Sequence, residues 1–158
     1  MKLKAFAAVS LLAFTAGSQS VLAASAVGSI SQRVIRALSI YRESDLDFGT
    51  ATNGDPAKVV PPSVRDTPAN ASFIVTGEPS ASYAIVLPSD GDVTLTTGDA
   101  ASLDRRIAVT SFRSYPENTG VLGPLGRQSL YVGATRAPIR DTQASGMYHG
   151  VFTVTVVY

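Results

Sequence analysis

Residues 146–158 read Gly-Met-Tyr-His-Gly-Val-Phe-Thr-Val-Thr-Val-Val-Tyr and form the most regular stretch of this chain. Every even position from Phe152 to Tyr158 is apolar, whereas Thr153 and Thr155 lie on the other parity. Side chains along a strand alternate between two faces, so the stretch predicts a β-strand with one strongly apolar side. With no strand after it, this strand is expected to be internal to a sheet or to be covered by something else.

The opposite end of the chain has the form of a secretory signal peptide. Two lysines precede a mostly apolar run over residues 5–16, and small residues then fit a cleavage site after Ala23, with Ala26 as the second choice. A membrane anchor is the alternative reading, but the run is too short to span about 30 Å of hydrocarbon. We therefore predict that residues 1–23 are a signal peptide and that the mature chain is exported, with no membrane insertion.

Composition limits what the mature chain can be. Removing residues 1–23 from 158 leaves 135, enough for one domain with a real core. Loss of Lys2 and Lys4 takes the formal net charge from +1 to −1, so no basic excess is left to bind nucleic acid. Cysteine is absent, which excludes disulfides and Cys-type metal sites, so packing and strand pairing must hold the fold.

The rest of the sequence predicts strands and turns. Residues 33–41 alone could pass as a short helix by composition. Seven or eight short strands with regular turn signals between them indicate an all-β, antiparallel sandwich. The predicted strands are 34–41, 46–50, 72–76, 82–87, 93–97, 106–112, 129–134 and 147–158, with a possible short strand at 58–60 and loops at 115–126 and 138–145.

This pattern divides the mature chain into two parts. Residues 24–33 are mostly small and polar, so we expect a flexible extension unless another surface captures it. Residues 34–158 are expected to form the sandwich. Five apolar side chains are predicted to pack its core: Phe48, Phe73, Val75, Ile85 and Val132.

Four segments, taken in order, resemble a known family. They are 46–50 (Leu-Asp-Phe-Gly-Thr), 72–77 (Ser-Phe-Ile-Val-Thr-Gly), 130–134 (Leu-Tyr-Val-Gly-Ala) and 146–156. In this order they resemble the signature segments of the secreted bacterial family called domain of unknown function 4402. The first and last are also similar to those of spore coat protein U domains, the subunits of archaic chaperone–usher pili. The resemblance implies an immunoglobulin-like sandwich that lacks its final strand and is completed by a donor strand from another subunit.

The resemblance also implies which residues carry the function. An acceptor groove would lie between the last strand and the first, lined by Val151, Phe152, Val154, Val156, Tyr158, Val34 and Leu38. The donor would be roughly residues 24–33, with Val27 and Ile30 as its apolar side chains. From Val27 to Val34 neither face of that segment is a clean apolar ladder. Two other departures are the terminal position of Tyr158, where classical pilins carry a penultimate aromatic, and the absence of the disulfide that archaic subunits often carry.

The partners implied are neighbouring copies of this chain or related pilin subunits, a periplasmic chaperone and an outer-membrane usher. The protein would pass through the periplasm and end in a fimbria on the cell surface, or be secreted. An exposed strand edge beside an apolar groove suits this mode, because another chain can pair with it. A head-to-tail contact of this kind does not close, so it generates a filament.

No motif predicts catalysis, a cofactor or a metal. The sequence has no Gly-x-Ser-x-Gly, phosphate loop or His-Glu-x-x-His, and we expect the protein not to be an enzyme. Asp45 and Asp47 supply too few oxygens for calcium and are expected at a solvated strand edge. The other polar candidates are expected to be ordinary turn, loop or solvent-facing residues: His149, Asp90, Asp92, Asp99, Asp104, Arg105, Arg106 and Ser111.

Two further hypotheses stay open at this stage. The first is a self-complete secreted domain whose N-terminal segment folds back onto its own last strand, which stays monomeric and binds a surface ligand such as a glycan. The second is a secreted hydrolase, which would need two placed carboxylates that a sequence cannot reveal.

Overall fold

A computed structural model describes residues 24–158, and the predicted signal peptide lies outside the described residues. The described chain contains strands and one short 3₁₀ helix, Leu103–Arg105. The strands are β1 Ser39–Ser44, β2 Lys58–Val60, β3 Ala71–Thr76, β4 Ser82–Val86, β5 Val93–Thr96, β6 Arg106–Tyr115, β7 Thr119–Val121, β8 Arg127–Arg136 and β9 Thr155–Val157. No helix of this part of the chain is long and apolar enough to cross a membrane.

The strands form two sheets in which every pair is antiparallel. The first sheet has the order β1-β3-β8-β6-β5, with β2 also paired to β8. The second sheet has the order β7-β4-β9. The prediction of an all-β antiparallel sandwich is confirmed.

This strand order is immunoglobulin-like. An immunoglobulin domain has strands A, B, E and D in one sheet and C, F and G in the other. The neighbours β1-β3-β8-β6 match A-B-E-D, and the pair β4-β9 matches C-F. No strand within residues 24–158 occupies the G position, beside the free edge of β9.

The core lies between the sheets and follows the alternation of the strands. In β8, the inward side chains Leu130, Val132 and Ala134 are at most 2% exposed, because strands pair with both edges of β8. Burying such an aliphatic side chain stabilises the fold by about 1.5–3 kcal/mol. One cluster joins Leu130 and Val132 to Val75, Tyr83 and Ile85, and a second joins Ala134 to Phe48 and Val109.

Several predicted strands have other bounds in the structure. Strand β1 starts at Ser39 rather than at residue 34, and Val34 is 84% exposed, so no packing holds it extended against a neighbour. Residues 46–50 form no strand. There the Asp47 carboxylate accepts from Gly49 N (2.7 Å) and Gly49 has a φ of 66°, which together bend the chain into a turn.

Two more differences concern the ends of the second sheet. The loop predicted at 115–126 contains β7, which pairs with β4 through Tyr83 and Gly120. The final strand predicted over 147–158 is limited to β9, Thr155–Val157, with one isolated bridge between His149 and Thr96. The alternation of the sequence continues through residues 150–154, but no strand lies beside them to pair with.

The described chain separates into two units. Residues 34–158 form one compact unit, which is the sandwich. Residues 24–33 belong to the other unit, and Val27 and Ile30 are fully exposed there.

Candidate functional site

Among residues 24–158, strand β9 is paired on one edge only. It lies against β4 in the register Ala84–Val157, Ile85–Val156 and Val86–Thr155. The N–H of Ile85 donates to Asn118 O (2.8 Å), on the side of β7, so by alternation the backbone groups of Ala84 and Val86 face β9. The N–H and C=O of Val156 therefore point to the free edge of β9, where another strand could accept and donate.

The chain just before β9 has even fewer partners. His149 and Thr96 exchange two backbone hydrogen bonds, of 2.8 and 3.0 Å. After this anchor, residues 151–154 alternate between exposed and half-buried side chains, and no backbone hydrogen bond joins residues 150–154 to another part of the described chain. The edge that lacks a neighbour is thus longer than β9 itself.

A row of half-buried apolar side chains borders this edge. Phe152, Val154 and Val156 pack against the first core cluster but stay partly exposed, whereas Val151 is 91% exposed on the opposite parity. The facing border is the outer edge of β1, which in the described part of the chain pairs with β3 alone. The apolar side chains on that border are Leu38, Ile40 and Leu46, also partly buried against the core. We call the space between these two borders the groove.

Phe152 is the aromatic centre of the groove. Its ring contacts Phe73 edge to face, with 6.2 Å between ring centroids, and Phe112 in a tilted arrangement at 5.3 Å. Both partners belong to the first sheet, in β3 and β6. Phe152 therefore ties the unpaired segment to the core without covering its own outer side.

One end of the groove widens into a cleft of about 1000 Å³. Residues 42–53 line one wall and residues 146–150 with Phe152 line the other. The floor consists of inward side chains of the first sheet: Val93, Leu95, Ile107, Val109 and Phe112. This end of the sandwich interior is therefore open toward solvent.

Tyr158 closes the other end. Its hydroxyl donates to Arg36 O (3.0 Å) and accepts from Glu78 N (2.6 Å), which links the end of the second sheet to the chain before β1. A methyl group placed on Gly77 would overlap the Tyr158 hydroxyl and would also touch Leu38. The groove is thus tight at Tyr158 and wide at Phe152.

The predicted site residues fall into three groups. Phe152, Val154, Val156 and Leu38 lie along the groove, and Tyr158 closes it. Val151 and Val34 were predicted to line it, but their side chains are 91% and 84% exposed. Four of the predicted core residues are buried and Phe73 is partly buried; the four are Phe48, Val75, Ile85 and Val132.

The polar candidates are spread over the surface. Asp45 pairs with Arg42 at 2.7 Å, and both side chains are more than two-thirds exposed. His149 is also exposed. Within residues 24–158 no three His, Cys, Asp or Glu side chains come together in a way that could hold a metal ion.

Two titratable groups have shifted pKa values, both for structural reasons. Burial raises the pKa of Tyr83 to about 12, and its hydroxyl donates to Gln128 Oε1 at 2.8 Å. Hydrogen bonds from the backbone and hydroxyl of Thr52 lower the pKa of Asp55, a surface carboxylate. The Tyr83 ring supports the second sheet from inside, and Asp55 fixes a turn.

Arg136 is a buried arginine in the wall of the cleft and is not among the residues predicted from the sequence. Its side chain is 4% exposed, and its Nη atoms donate to Ala137 O and Pro56 O, each at 3.0 Å. Nε has no hydrogen-bond partner among the described residues. The signal was available, since Arg136 shares the inward parity of Leu130 and Val132 in β8.

The arrangement defines a class of protein: an antiparallel, immunoglobulin-like sandwich with an open strand position beside its last strand. The family comparison then gives the particular group. The model of the family described as Domain of unknown function (DUF4402) matches residues 38–158, so the chain belongs to this family, as the sequence resemblance predicted. No curated protein matches the chain.

Proposed function

We propose that this protein is a structural subunit of a cell-surface pilus or fimbria that polymerises by donor-strand complementation after chaperone-assisted export. The observation that carries the proposal is the free edge of β9 beside a row of half-buried apolar side chains. A strand added there would pair the outward backbone groups of Val154 and Val156. It would also cover the exposed remainder of Phe152, Val154 and Val156, and so add a part of the about 1.5–3 kcal/mol that complete burial of such a side chain contributes.

The proposal assigns residues 24–33 of a neighbouring copy, or of a related pilin subunit, as the donor. A periplasmic chaperone would cover the groove first, and an outer-membrane usher would support the exchange. Val27 and Ile30 are fully exposed apolar side chains on opposite faces of an extended strand, so capture in the groove would remove one of them from water. The similarity of the first and last signature segments to spore coat protein U domains supports the same assignment.

The first test is the size of the mature protein purified from its own cell surface and run in SDS with and without boiling. Inserted strands are held by a high unfolding barrier, so we expect a ladder of multimers that collapses on heating. A monomer band under both conditions would contradict the proposal.

A charge in the groove tests the site itself. Val154→Asp places a carboxylate at the proposed donor interface, where burial without a partner is costly, so multimers should be lost. Thr153→Asp is the matched control, because the neighbouring side chain is exposed and should leave the ladder intact. Equal ladders from both variants would remove the groove from the proposal.

Deletion of residues 24–33 tests the donor. The shortened subunit should keep its sandwich and bind the chaperone, yet fail to extend a filament. Filaments built from the deletion variant alone would refute the assignment of this segment.

A second candidate is favoured by the cleft. An opening of about 1000 Å³ with both apolar and polar walls could hold a surface ligand such as a glycan in a self-complete monomer. Monomers that bind glycan with the N-terminal segment folded on their own β9 would support this candidate over the first.

A further inference from the structure

The donor segment has an apolar face when it is read from the predicted cleavage site. The even positions Ala24, Ala26, Gly28 and Ile30 carry only small or apolar side chains. The odd positions of the same stretch carry serines, apart from Val27. An extended strand would therefore present the even positions to the core, with its one large side chain at Ile30.

The groove fixes which residues of β9 lie opposite that face. The side chains of Phe152, Val154 and Val156 point to the core, and by alternation their backbone groups point to the free edge. In an antiparallel pair, residues directly opposite each other lie on the same face of the sheet. Even donor positions must then stand opposite even positions of residues 152–158.

The shape of the groove selects the direction. Ile30 needs space, and the cleft of about 1000 Å³ at Phe152 provides it. At the opposite end, a methyl group on Gly77 would already overlap the Tyr158 hydroxyl and touch Leu38, so a small donor side chain suits that end. Ile30 opposite Phe152 and Ala24 opposite Tyr158 satisfies both ends, and this orientation is antiparallel to β9.

The chain's own segment meets the groove differently. Arg36 O is bonded to the Tyr158 hydroxyl, so the segment leaves its own domain at the tight end. Six extended residues reach about 20 Å, just enough to bring Ile30 to Phe152 by running parallel to β9. That orientation sets Gln32 opposite Val154 and buries its amide, at a cost of about 1–3 kcal/mol if it is unpartnered.

From these constraints we infer that residues 24–30 of a second copy of this chain add to the free edge of β9 in antiparallel orientation. The inference rests on the proposed function and specifies its partner and register. The opposed pairs are Ala24–Tyr158, Ala26–Val156, Gly28–Val154 and Ile30–Phe152. Gly28 and the two alanines pass the crowded part of the groove, and Ile30 fills the cleft.

Engineered disulfides test the register, because the chain contains no cysteine of its own. Ser29→Cys with Thr153→Cys reports the inferred pairing, at a non-hydrogen-bonded pair whose Cα atoms lie about 4.5 Å apart. Ser29→Cys with Thr155→Cys is the same design shifted by two residues, where the separation of about 7–8 Å exceeds disulfide reach. Ser31→Cys with Thr153→Cys reports the parallel pairing of a chain with its own β9.

Each double variant is expressed in the native host, and surface material is boiled in SDS without reductant. We expect a ladder that survives boiling and collapses with reductant for the first pair, and monomers for the other two. The cysteine-free parent, run unboiled, measures assembly independently of register.

The outcomes separate the two claims. An unboiled parent ladder with crosslinks only in the shifted pair, or in none of the three, overturns the register and leaves the proposed function standing. A parent that never forms multimers, together with an internal disulfide in the Ser31→Cys, Thr153→Cys variant, overturns both.

Discussion

Strands β8 and β9 have similar alternating sequences, but their apolar side chains differ in burial. Both carry apolar side chains at even positions, Leu130 and Val132 in β8, and Val156 in β9 with Val154 just before it. In β8 these side chains are fully buried, whereas in β9 they are partly exposed. The difference comes from neighbours, because β8 is paired on both edges and β9 on one. Alternating apolar residues therefore specify which face of a strand turns to the core. The neighbouring strands decide whether that face is covered.

The largest expected effect comes from charging the two ladders in turn. Val132→Asp puts a carboxylate in the closed core and should cost about 4 kcal/mol or more, so that little folded subunit survives. Val154→Asp should leave the isolated sandwich folded, because its side chain keeps access to water. Denaturant unfolding of both purified variants measures the contrast. Similar losses of stability would mean that β9 is as enclosed as β8.

Phe152→Ala should give the next largest effect. The ring contacts Phe73 and Phe112 but remains partly exposed, so truncation should lower the free energy of unfolding by about 2 kcal/mol, less than for a fully buried phenylalanine. Val151→Ala is the matched control and should change stability by less than about 0.5 kcal/mol, since its side chain is 91% exposed. Equal unfolding midpoints for the two variants would show that Phe152 anchors nothing.

The alternation of apolar and polar residues was sufficient to predict which face of each strand is buried. It was not sufficient to predict where the strands begin and end. The inward parity of residues 152–156 and the buried positions of β8 follow from period-two patterning. The turn at Asp47–Gly49 does not follow from this patterning. It depends on a side-chain hydrogen bond and on the positive φ of Gly49, whereas the sequence of residues 46–50 resembles a strand. The exposure of Val151 follows from the same alternation, because Val151 lies on the odd parity. The exposure of Val34 does not, because it depends on where β1 begins.

The cleft was harder to predict than the groove. Its walls come from residues 42–53 and 146–150, which are distant in sequence and meet only after both sheets have formed. The burial of Arg136 was easier to predict than the cleft, because its even position in β8 places it on the inward face of that strand. The strand predicted at 129–134 ended before Arg136, so its inward position was not considered.

Tyr83 extends the comparison to the middle strand of the second sheet. Burial raises the pKa of its hydroxyl to about 12, above the ordinary value of 10.0. The unfolded chain therefore releases this proton at lower pH than the folded chain. The contribution of Tyr83 to the free energy of unfolding is complete below pH 10 and is lost between about pH 10 and 12. Tyr83→Phe should remove about 1–3 kcal/mol of this alkaline dependence of the free energy of unfolding. Identical alkaline unfolding curves for wild type and Tyr83→Phe would contradict the assignment.

The smallest expected effect is at the tight end of the groove. Tyr158→Phe removes the hydroxyl that bridges Arg36 O and Glu78 N and should lower the free energy of unfolding by about 1 kcal/mol. Tyr41→Phe is the control, because Tyr41 is 61% exposed in β1 and should tolerate the change. Hydrogen exchange gives the sharper measurement, since loss of the bridge should speed exchange at the end of β9 and leave β8 protected. If β8 and β9 lose protection together, the two strands open as one unit and the contrast between them does not extend to their dynamics.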